Sequence, residues 1–340
     1  MSPKKLLVVH AGTHKTATTY IQDRLAANQE ILRKNRVLVL SHETKKVGRF
    51  YKLATLLKEK SFRKVSRILN ATPEDVRQVV VSDERLTKVL TQQELLEGLL
   101  YAVKRSDFRL RVVFFLRDQP DYINSLYVQE IKRLYHAQDI QRYSKRCMRK
   151  LSDRFNYNLM FSDLINRPKL RAQFIPFGVG GVDPFDSLMD SQGWRSKQGW
   201  KPASAGIIND QPGVRGVWLA RQVRKRLEEI NADCKHVRGQ SRFVDKYVRA
   251  NMWHKEKYYG FDQDRVNIIR SFYKNDNDQF AQKVWGKNWE EIYHVPLRSQ
   301  KNFELNDLED SEEINSMQEA VDLVIQDIRA EKPQAFEQVA

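Results

Sequence analysis

The sequence has few cysteines and no apolar run as long as a membrane span. Cys147 and Cys234 are the only cysteines among its 340 residues, so we expect no disulfide framework. The lysines near the amino terminus precede an apolar run that is too short for a secretory signal peptide. Because a chain with so few cysteines suits a reducing compartment, we expect a cytoplasmic protein.

Two familiar patterns of ligand-binding residues are also missing. A Walker A loop has a glycine directly before its lysine, but His14 occupies that position before Lys15. Zinc sites often use paired cysteines or a His-Glu-x-x-His helix, and the sequence has neither, although His10 and His14 are four residues apart. We therefore expect no bound metal, and a phosphate ligand other than a nucleoside triphosphate.

The charge of the chain is large, positive and unevenly distributed. The net charge is +16, yet the segment from Glu304 to the end has 11 acidic and 2 basic residues. The rest of the chain therefore has a net charge of +25. A surface this basic favours an anionic partner, which could be nucleic acid, a membrane surface, or an acidic small molecule or glycan. The charge alone does not choose among these partners.

Short apolar runs typical of buried strands alternate with helical segments along the chain. The predicted strands are Leu6–Val9, Arg36–Leu40, Gln78–Ser82, Leu110–Leu116 and Phe174–Phe177. This alternation predicts an α/β protein with a P-loop-like three-layer fold, in which helices flank both faces of a central parallel sheet. We assign residues 1–300 to this domain and residues 301–340 to an acidic C-terminal tail with an amphipathic helix.

Helical spacing of apolar residues predicts the helices between and after these strands. The predicted helical regions are 50–69, the leucine-rich segment after Glu94, the segment after Pro120, much of 136–170, 214–231 and 263–285. Capping boxes predict helix starts at Thr91 and Ser316. Glycines and prolines predict loops at 178–184 and 192–213. The helix after Ser316 could fold back onto the basic body or mediate a homodimer.

The segment between the first strand and the first helix has the composition of an anion site, and we refer to it as the anion loop. It consists of Gly12, Thr13, His14, Lys15, Thr16, Ala17, Thr18 and Thr19. The first N–H groups of a helix have no partner inside the helix, and the helix dipole is positive there. Lys15 adds a charge, and the threonine hydroxyls add donors. The composition therefore predicts binding of a phosphate or a close relative.

Two further polar clusters follow predicted strands. Glu84 lies just after one strand, and Arg117 ends the next, with Ser125 eight residues later. Because ligands bind at the carboxyl ends of parallel strands, we expect these clusters and the anion loop to form one site. Glu84 is then a candidate general base, and Arg117 with Ser125 could hold a second phosphate. Taken singly, Glu84 could also cap a helix, and Arg117 could form a surface ion pair.

These three clusters together resemble the sulfotransferases that use 3′-phosphoadenosine 5′-phosphosulfate. The anion loop is similar to the family's Gly-x-x-Lys-Ser/Thr-Gly-Thr-Thr motif, with Ala17 in place of the second glycine. Arg117 and Ser125 match the family's Arg…Ser pair. The His-Lys-Thr sequence and the strand ending in Ser82-Asp-Glu84 resemble bacterial carbohydrate-type members. The likeness covers roughly residues 4–130 and, more loosely, 260–290.

The resemblance implies an activity and a role for each residue. The anion loop would bind the 5′-phosphosulfate, and Arg117 with Ser125 would bind the 3′-phosphate. An acceptor hydroxyl or amine would attack the sulfur in line and release adenosine 3′,5′-bisphosphate. Glu84 would take the acceptor proton, while Lys15 and His14 would face the leaving phosphate. The implied acceptor is a carbohydrate, and the basic surface favours an anionic glycan or a lipid-linked sugar at a membrane surface. No metal is implied.

Two alternative functions stay open at the level of sequence. A P-loop kinase of small molecules shares the strand–loop–helix pattern and would need ATP and Mg²⁺, although Arg117-Asp118 is a poor match to a Walker B acid. A nucleic-acid-binding protein would explain the charge and the aromatic residues between Tyr143 and Tyr157. It would leave the clusters around Lys15 and Arg117 unexplained, so we expect no nucleic-acid partner.

Overall fold

The structure, a computed structural model, describes residues 4–40, 51–167, 170–197, 199–203, 211–294, 299–304 and 308–337. Its internal contacts divide the chain into two compact units. The first unit comprises the described parts of Met1–Asp118, Asp153–Ile208 and Tyr273–Val295. The second unit comprises the described parts of Gln119–Ser152, Asn209–Phe272 and Pro296–Ala340. The predicted acidic tail therefore falls inside the second unit.

The first unit contains a five-stranded parallel sheet in the order β2-β3-β1-β4-β5. The strands are β1 (Lys5–His10), β2 (Val37–Val39), β3 (Gln78–Ser82), β4 (Phe108–Leu116) and β5 (Arg171–Pro176). The five predicted strands and the α/β fold class are confirmed. The buried parts of β1, β3 and β4 contain continuous apolar runs, as expected of strands in a parallel sheet that is covered on both faces.

Helices connect these strands and form the second unit. In chain order, the helices of the described ranges are α1 (Thr18–Ala27), α2 (Gln29–Lys34), α3 (Tyr51–Lys58), α4 (Phe62–Asn70), α5 (Leu86–Leu90), α6 (Gln93–Arg105), α7 (Gln119–Lys132), α8 (Ile140–Lys150), α9 (Ser152–Phe155), α10 (Tyr157–Met160), α11 (Ser162–Ile165), α12 (Pro184–Gln192), α13 (Gly213–Glu229), α14 (Arg242–Ala250), α15 (Gln263–Trp285), α16 (Trp289–Ile292) and α17 (Ser311–Glu331). Short 3-10 helices lie at Trp253–Lys255 and Pro333–Ala335.

The two faces of the sheet are covered by different helices. On one face, α1, α2 and α12 pack on the strands through a buried apolar cluster that includes Val8, Ile21, Leu25 and Phe185. On the other face, α6 packs against β4, and α3, α4 and α5 pack against α6. Ile21 and Leu25 are fully buried, and each contributes about 1.5–3 kcal/mol through removal from water. This burial fixes α1, and with it the anion loop that precedes α1.

Both predicted capping boxes are wrong. Helix α6 begins after Gln92, and the hydroxyl of Thr91 donates instead to the carbonyl oxygens of Thr87 and Lys88. Helix α17 begins after Asp310, whose carboxylate accepts the N–H of a first-turn residue, so Ser316 lies inside the helix. A Ser/Thr-x-x-Glu pattern is short enough to occur within a helix as well as at its start.

Two predicted segment boundaries also need correction. The predicted helix over 50–69 is two helices, because the chain turns at Lys60, whose φ of 53° is incompatible with a right-handed helix. The predicted loop at 178–184 ends in the start of α12, where the Asp183 side chain accepts the N–H groups of Phe185 and Asp186. In the sequence Asp183-Pro184, the aspartate is the N-cap of α12 and the proline is the first residue of the helix.

The second unit is built from helices around α13, which contacts α7, α14 and α17. The predicted apolar face of the C-terminal helix is confirmed by burial of Met317, Val321, Val324, Ile325 and Ile328. Acidic residues of α17 form ion pairs with basic residues of α14, such as Lys246 Nζ to Asp327 Oδ2 at 2.7 Å. The acidic helix therefore folds back onto basic helices of its own chain. Across the described residues, no helix is both long enough and apolar enough to cross a membrane.

Candidate functional site

The anion loop lies at the carboxyl edge of the sheet, where the chain changes direction across the sheet. Strand β1 lies between β3 and β4, and its last residue, His10, is in register with Ser82 and Val113. After β1 the chain continues to β2 and β3 on one side, whereas after β4 it continues to β5 on the other side. A switch point of this kind is where open α/β sheets bind ligands.

The backbone of the anion loop adopts left-handed conformations at three positions. Gly12 has a φ of 79°, Lys15 of 67° and Ala17 of 57°. Glycine adopts this region without cost, but residues with a Cβ lose roughly 1–2 kcal/mol there. Ala17 is the N-cap of α1 and makes no side-chain cap. The loop thus stores backbone strain at the N-terminus of a helix, and such strain clusters at functional sites.

Hydrogen bonds hold the first half of the loop against the end of β4. The N–H and hydroxyl of Thr13 both donate to the carbonyl oxygen of Phe115, at 3.2 and 3.0 Å. The N–H of Phe115 donates in turn to the carbonyl oxygen of Gly12 at 3.3 Å. The hydroxyl of Thr16 donates to the carbonyl oxygen of Thr13 at 2.6 Å. Two of the loop's hydroxyls therefore stabilise the loop itself and are not directed at a ligand.

The hydroxyl of Thr18 is different, because it is buried and has no hydrogen-bond partner among the described residues. A Cβ atom built on Gly12 would lie 3.1 Å from this oxygen, so the glycine leaves space directly beside the hydroxyl. A buried polar group without a partner costs about 1–3 kcal/mol. An oxyanion at the start of α1 would accept this hydrogen bond together with the free N–H groups of the first turn.

The end of β3 brings two carboxylates to the same edge. Asp83 is fully buried, and Arg85 binds it in a bidentate manner, with Nε–Oδ1 at 3.1 Å and Nη2–Oδ2 at 2.9 Å. Glu84 is half-buried, and its Cα and Cβ would lie 3.3 and 3.4 Å from a Cβ on Gly12. Asp83 is thus committed to a local ion pair, whereas Glu84 lies directly against the anion loop.

His14 connects the loop electrostatically to its neighbours. Burial lowers the pKa of His14 below its ordinary value, while the carboxylate of Glu84 opposes this shift and the charges of Arg154 and Lys15 add to it. The imidazole is therefore neutral at physiological pH and can exchange hydrogen bonds without adding charge. Arg154 was not predicted as a site residue. It comes from α9, in a basic and aromatic segment that carries no motif, so only folding reveals its position.

His10 lies beneath the loop and is part of the core. Its side chain is fully buried, its Nδ1 is 2.8 Å from the hydroxyl of Ser82, and its ring meets Phe115 edge to face. Burial lowers the pKa of His10 to about 3. A neutral histidine at this position packs the ends of three strands together and supports the loop from below.

Arg117, at the end of β4, contacts the anion loop directly. Its Nη1 donates to the carbonyl oxygen of Lys15 at 3.2 Å, and its guanidinium lies 5.5 Å from the ring centroid of Phe177. Tyr157 donates a hydrogen bond to the Arg117 carbonyl oxygen at 2.8 Å. Ser125 is buried on α7, in the second unit. The assignment of Arg117 and Ser125 to one phosphate stays a prediction.

The structure therefore gathers the anion loop, Glu84 and Arg117 at one edge of the first unit. No protein-family model and no curated protein matches the chain. Within the described ranges, no three or more His, Cys, Asp or Glu side chains are grouped so that they could hold a metal ion.

Proposed function

We propose that the protein is a sulfotransferase that moves the sulfuryl group of 3′-phosphoadenosine 5′-phosphosulfate to a hydroxyl or amine of a carbohydrate. The observation that carries the proposal is the unpartnered, buried hydroxyl of Thr18, which lies beside Gly12 in a strained, lysine-containing loop at the switch point of the sheet. The proposed acceptor is an anionic glycan or a lipid-linked sugar, reached from the cytoplasm.

The residues of the site fit the phosphosulfate end of this donor. Gly12 leaves room for an oxyanion beside the Thr18 hydroxyl, at a position where a Cβ would make tight contacts with Thr18 and Glu84. The left-handed conformation of Lys15 and Ala17 turns the chain sharply into α1, whose first N–H groups need acceptors. Without a glycine before Lys15, the loop departs from the cradle of nucleoside triphosphates. These features support a compact 5′-phosphosulfate as the ligand.

The roles of the side chains follow from their positions. The donor supplies a sulfuryl group whose transfer leaves a phosphate oxygen with more negative charge. Lys15 and the N-terminus of α1 stabilise that growing charge. Glu84 lies next to the loop and takes the proton of the attacking hydroxyl or amine. His14 is neutral and donates a hydrogen bond without repelling Lys15. Arg117 holds the loop through the Lys15 carbonyl oxygen and contributes positive charge.

Titration calorimetry with adenosine 3′,5′-bisphosphate, in buffer without metal, tests the proposal. We expect binding in the micromolar range, weakened at least tenfold in Lys15→Ala and in Arg117→Ala. Lys64→Ala is the matched control, since it removes one positive charge from the exposed side of α4 in the same unit. Its affinity should equal that of the parent protein.

The same titration with ATP and Mg²⁺ separates the proposal from a kinase. Binding of ATP·Mg²⁺ without binding of the bisphosphate would overturn the sulfotransferase assignment. Equal weakening in Lys64→Ala and Lys15→Ala would also overturn it, because the attraction would then come from net charge and not from the loop.

A further inference from the structure

The opposite edge of the same sheet carries a second concentration of positive charge. Strands β4 and β5 begin there, and the side chains of Arg109, Arg111 and Arg171, the arginine cluster, line a cavity of about 590 Å³ together with Lys4 and Lys104. The rest of the lining is apolar, and none of the described residues that line this cavity is acidic. Arg109 is separated from Arg117 by eight residues of an extended strand, or about 26 Å, so this cavity is remote from the anion loop.

The pairing of the strands forces these arginines together. Arg111 and Arg171 are directly in register on β4 and β5, and parallel strands are about 4.8 Å apart. Arg109 is two residues before Arg111, so its side chain projects from the same face of the sheet. Like charges opposite one another on a sheet are destabilising. None of the three forms an ion pair with any residue in the described parts of the chain.

One of these arginines is fixed in place by an amide network. Nη1 of Arg111 donates to Oε1 of Gln192 at 2.8 Å, and Nε2 of Gln192 donates to Oε1 of Gln173 at 2.9 Å. The Nε of Arg111 is buried and has no partner within the described ranges. Burial, and then the charges of Arg171 and Arg109, lower the pKa of Arg111. The guanidinium of Arg111 is therefore held in one orientation, has a donor without a partner, and lies close to two other positive charges. This arrangement lacks a counter-anion.

The acidic residue that directly precedes β4 does not supply that anion. Asp107, in the turn before β4, pairs with Lys4 at 2.7 Å, and both side chains are more than half exposed. Asp107 therefore neutralises the charge of Lys4, and the positive charges of the arginine cluster are not neutralised by this carboxylate. Guanidinium groups match the oxygens of phosphate and sulfate in a bidentate manner.

We infer that the arginine cluster is a second anion site, which binds a ligand with phosphate or sulfate ester groups at the amino-terminal edge of the sheet. The site is independent of the proposed sulfotransferase function. Three arginine residues that line one cavity favour a ligand with several oxyanions over a single small ion. The apolar part of the lining, which includes Leu100 and Val103, suits the carbon skeleton of such a ligand.

The test uses two defined polyanions, tripolyphosphate and sucrose octasulfate, in calorimetry at low ionic strength. The parent protein, Arg109→Gln/Arg171→Gln and Lys15→Ala are compared. The matched control, Lys145→Gln/Arg149→Gln, removes two exposed charges from α8 in the second unit. We expect a binding event that is at least tenfold weaker in the arginine variant and unchanged in the α8 control, whereas Lys15→Ala should affect only binding at the anion loop.

Three results would overturn the inference. They are absence of binding by both polyanions, loss of binding in Lys15→Ala with retention in the arginine variant, and equal loss in the arginine variant and the α8 control.

Thermal unfolding of the single variant Arg171→Gln adds a measurement that does not depend on the double variant. Relief of like-charge repulsion should keep or raise its melting temperature without ligand, and the increase produced by tripolyphosphate should shrink. A lower melting temperature with an undiminished increase would contradict the site.

Discussion

The Cα atom of Glu84 would lie 3.3 Å from a Cβ atom on Gly12, although 72 residues separate the two in the sequence. Such an approach is tight even for ordinary packing, so the end of β3 and the start of the anion loop are in direct contact. The contact favours glycine at position 12 for two reasons, the limited space for a Cβ and the φ of 79°. It also places the carboxylate of Glu84 beside the oxyanion site that we propose.

Substitution of Glu84 by glutamine should separate chemistry from binding. The amide is nearly the same size but cannot accept a proton, so sulfuryl transfer should fall by about 10²-fold or more. Affinity for adenosine 3′,5′-bisphosphate should change little, since the loop keeps its shape. Glu74→Gln, an exposed residue of the same unit, is the control for loss of one negative charge. Near-normal turnover in Glu84→Gln would remove Glu84 as the general base.

The left-handed conformation of Ala17 predicts a stabilising glycine substitution. Because Ala17 has a φ of 57°, Ala17→Gly should raise the free energy of unfolding by about 1 kcal/mol. Ala26→Gly, in the last turn of α1, should lower it by up to about 0.5–1 kcal/mol. Urea denaturation of the two variants measures both values. The same sign for both changes would show that Ala17 is not strained in the folded protein.

The buried histidine at position 10 predicts loss of stability in mild acid. Burial lowers the pKa of His10 from 6.5 to about 3, so below pH 6.5 the unfolded chain binds a proton that the folded protein does not. The contribution of neutral His10 to the free energy of unfolding is therefore retained above pH 6.5, and it is lost as the pH falls toward 3. The loss is about 1.4 kcal/mol per pH unit, or about 2 kcal/mol between pH 7 and pH 5.

His10→Asn isolates this contribution, because asparagine can still bond to Ser82 but does not titrate. Between pH 7 and pH 5, the free energy of unfolding of the variant should fall by about 2 kcal/mol less than that of the parent protein. NMR gives a second measurement, since the ring protons of His10 should not shift between pH 8 and pH 5. A titration of this ring near pH 6.5 would contradict its burial in the neutral form.

The C-terminal helix should behave as part of a folded core. Ile328 is fully buried on α17, and Ile328→Ala should lower the free energy of unfolding by about 2–5 kcal/mol. Leu323, five residues earlier, is 45% exposed, so Leu323→Ala should change it by no more than about 0.5 kcal/mol. Chemical denaturation compares the two variants. Similarly small changes in the free energy of unfolding for Ile328→Ala and Leu323→Ala would mean that α17 does not pack on its unit in solution.

Strand positions were predictable from the sequence because a buried parallel strand leaves little choice of residue. The predicted strands Gln78–Ser82 and Leu110–Leu116 contain the uninterrupted apolar runs Val79–Val81 and Val112–Leu116, and the structure contains strands at both. Helix ends were less predictable, since several side chains compete to cap the same N–H groups. Asp310 rather than Ser316 caps α17, and the glycines around Asp183 concealed the start of α12.

Local residue patterns were enough to predict the parallel α/β sheet and an anion site in the loop after β1. They also placed Glu84 and Arg117 at strand ends, and the order of the strands then brings them together. Three properties became apparent only in the folded chain. They are the Thr18 hydroxyl that lacks a partner among the described residues, the left-handed backbone of Ala17, and the register that places Arg111 opposite Arg171. These properties depend on the register of strands and on contacts between residues distant in the chain, which no local pattern encodes.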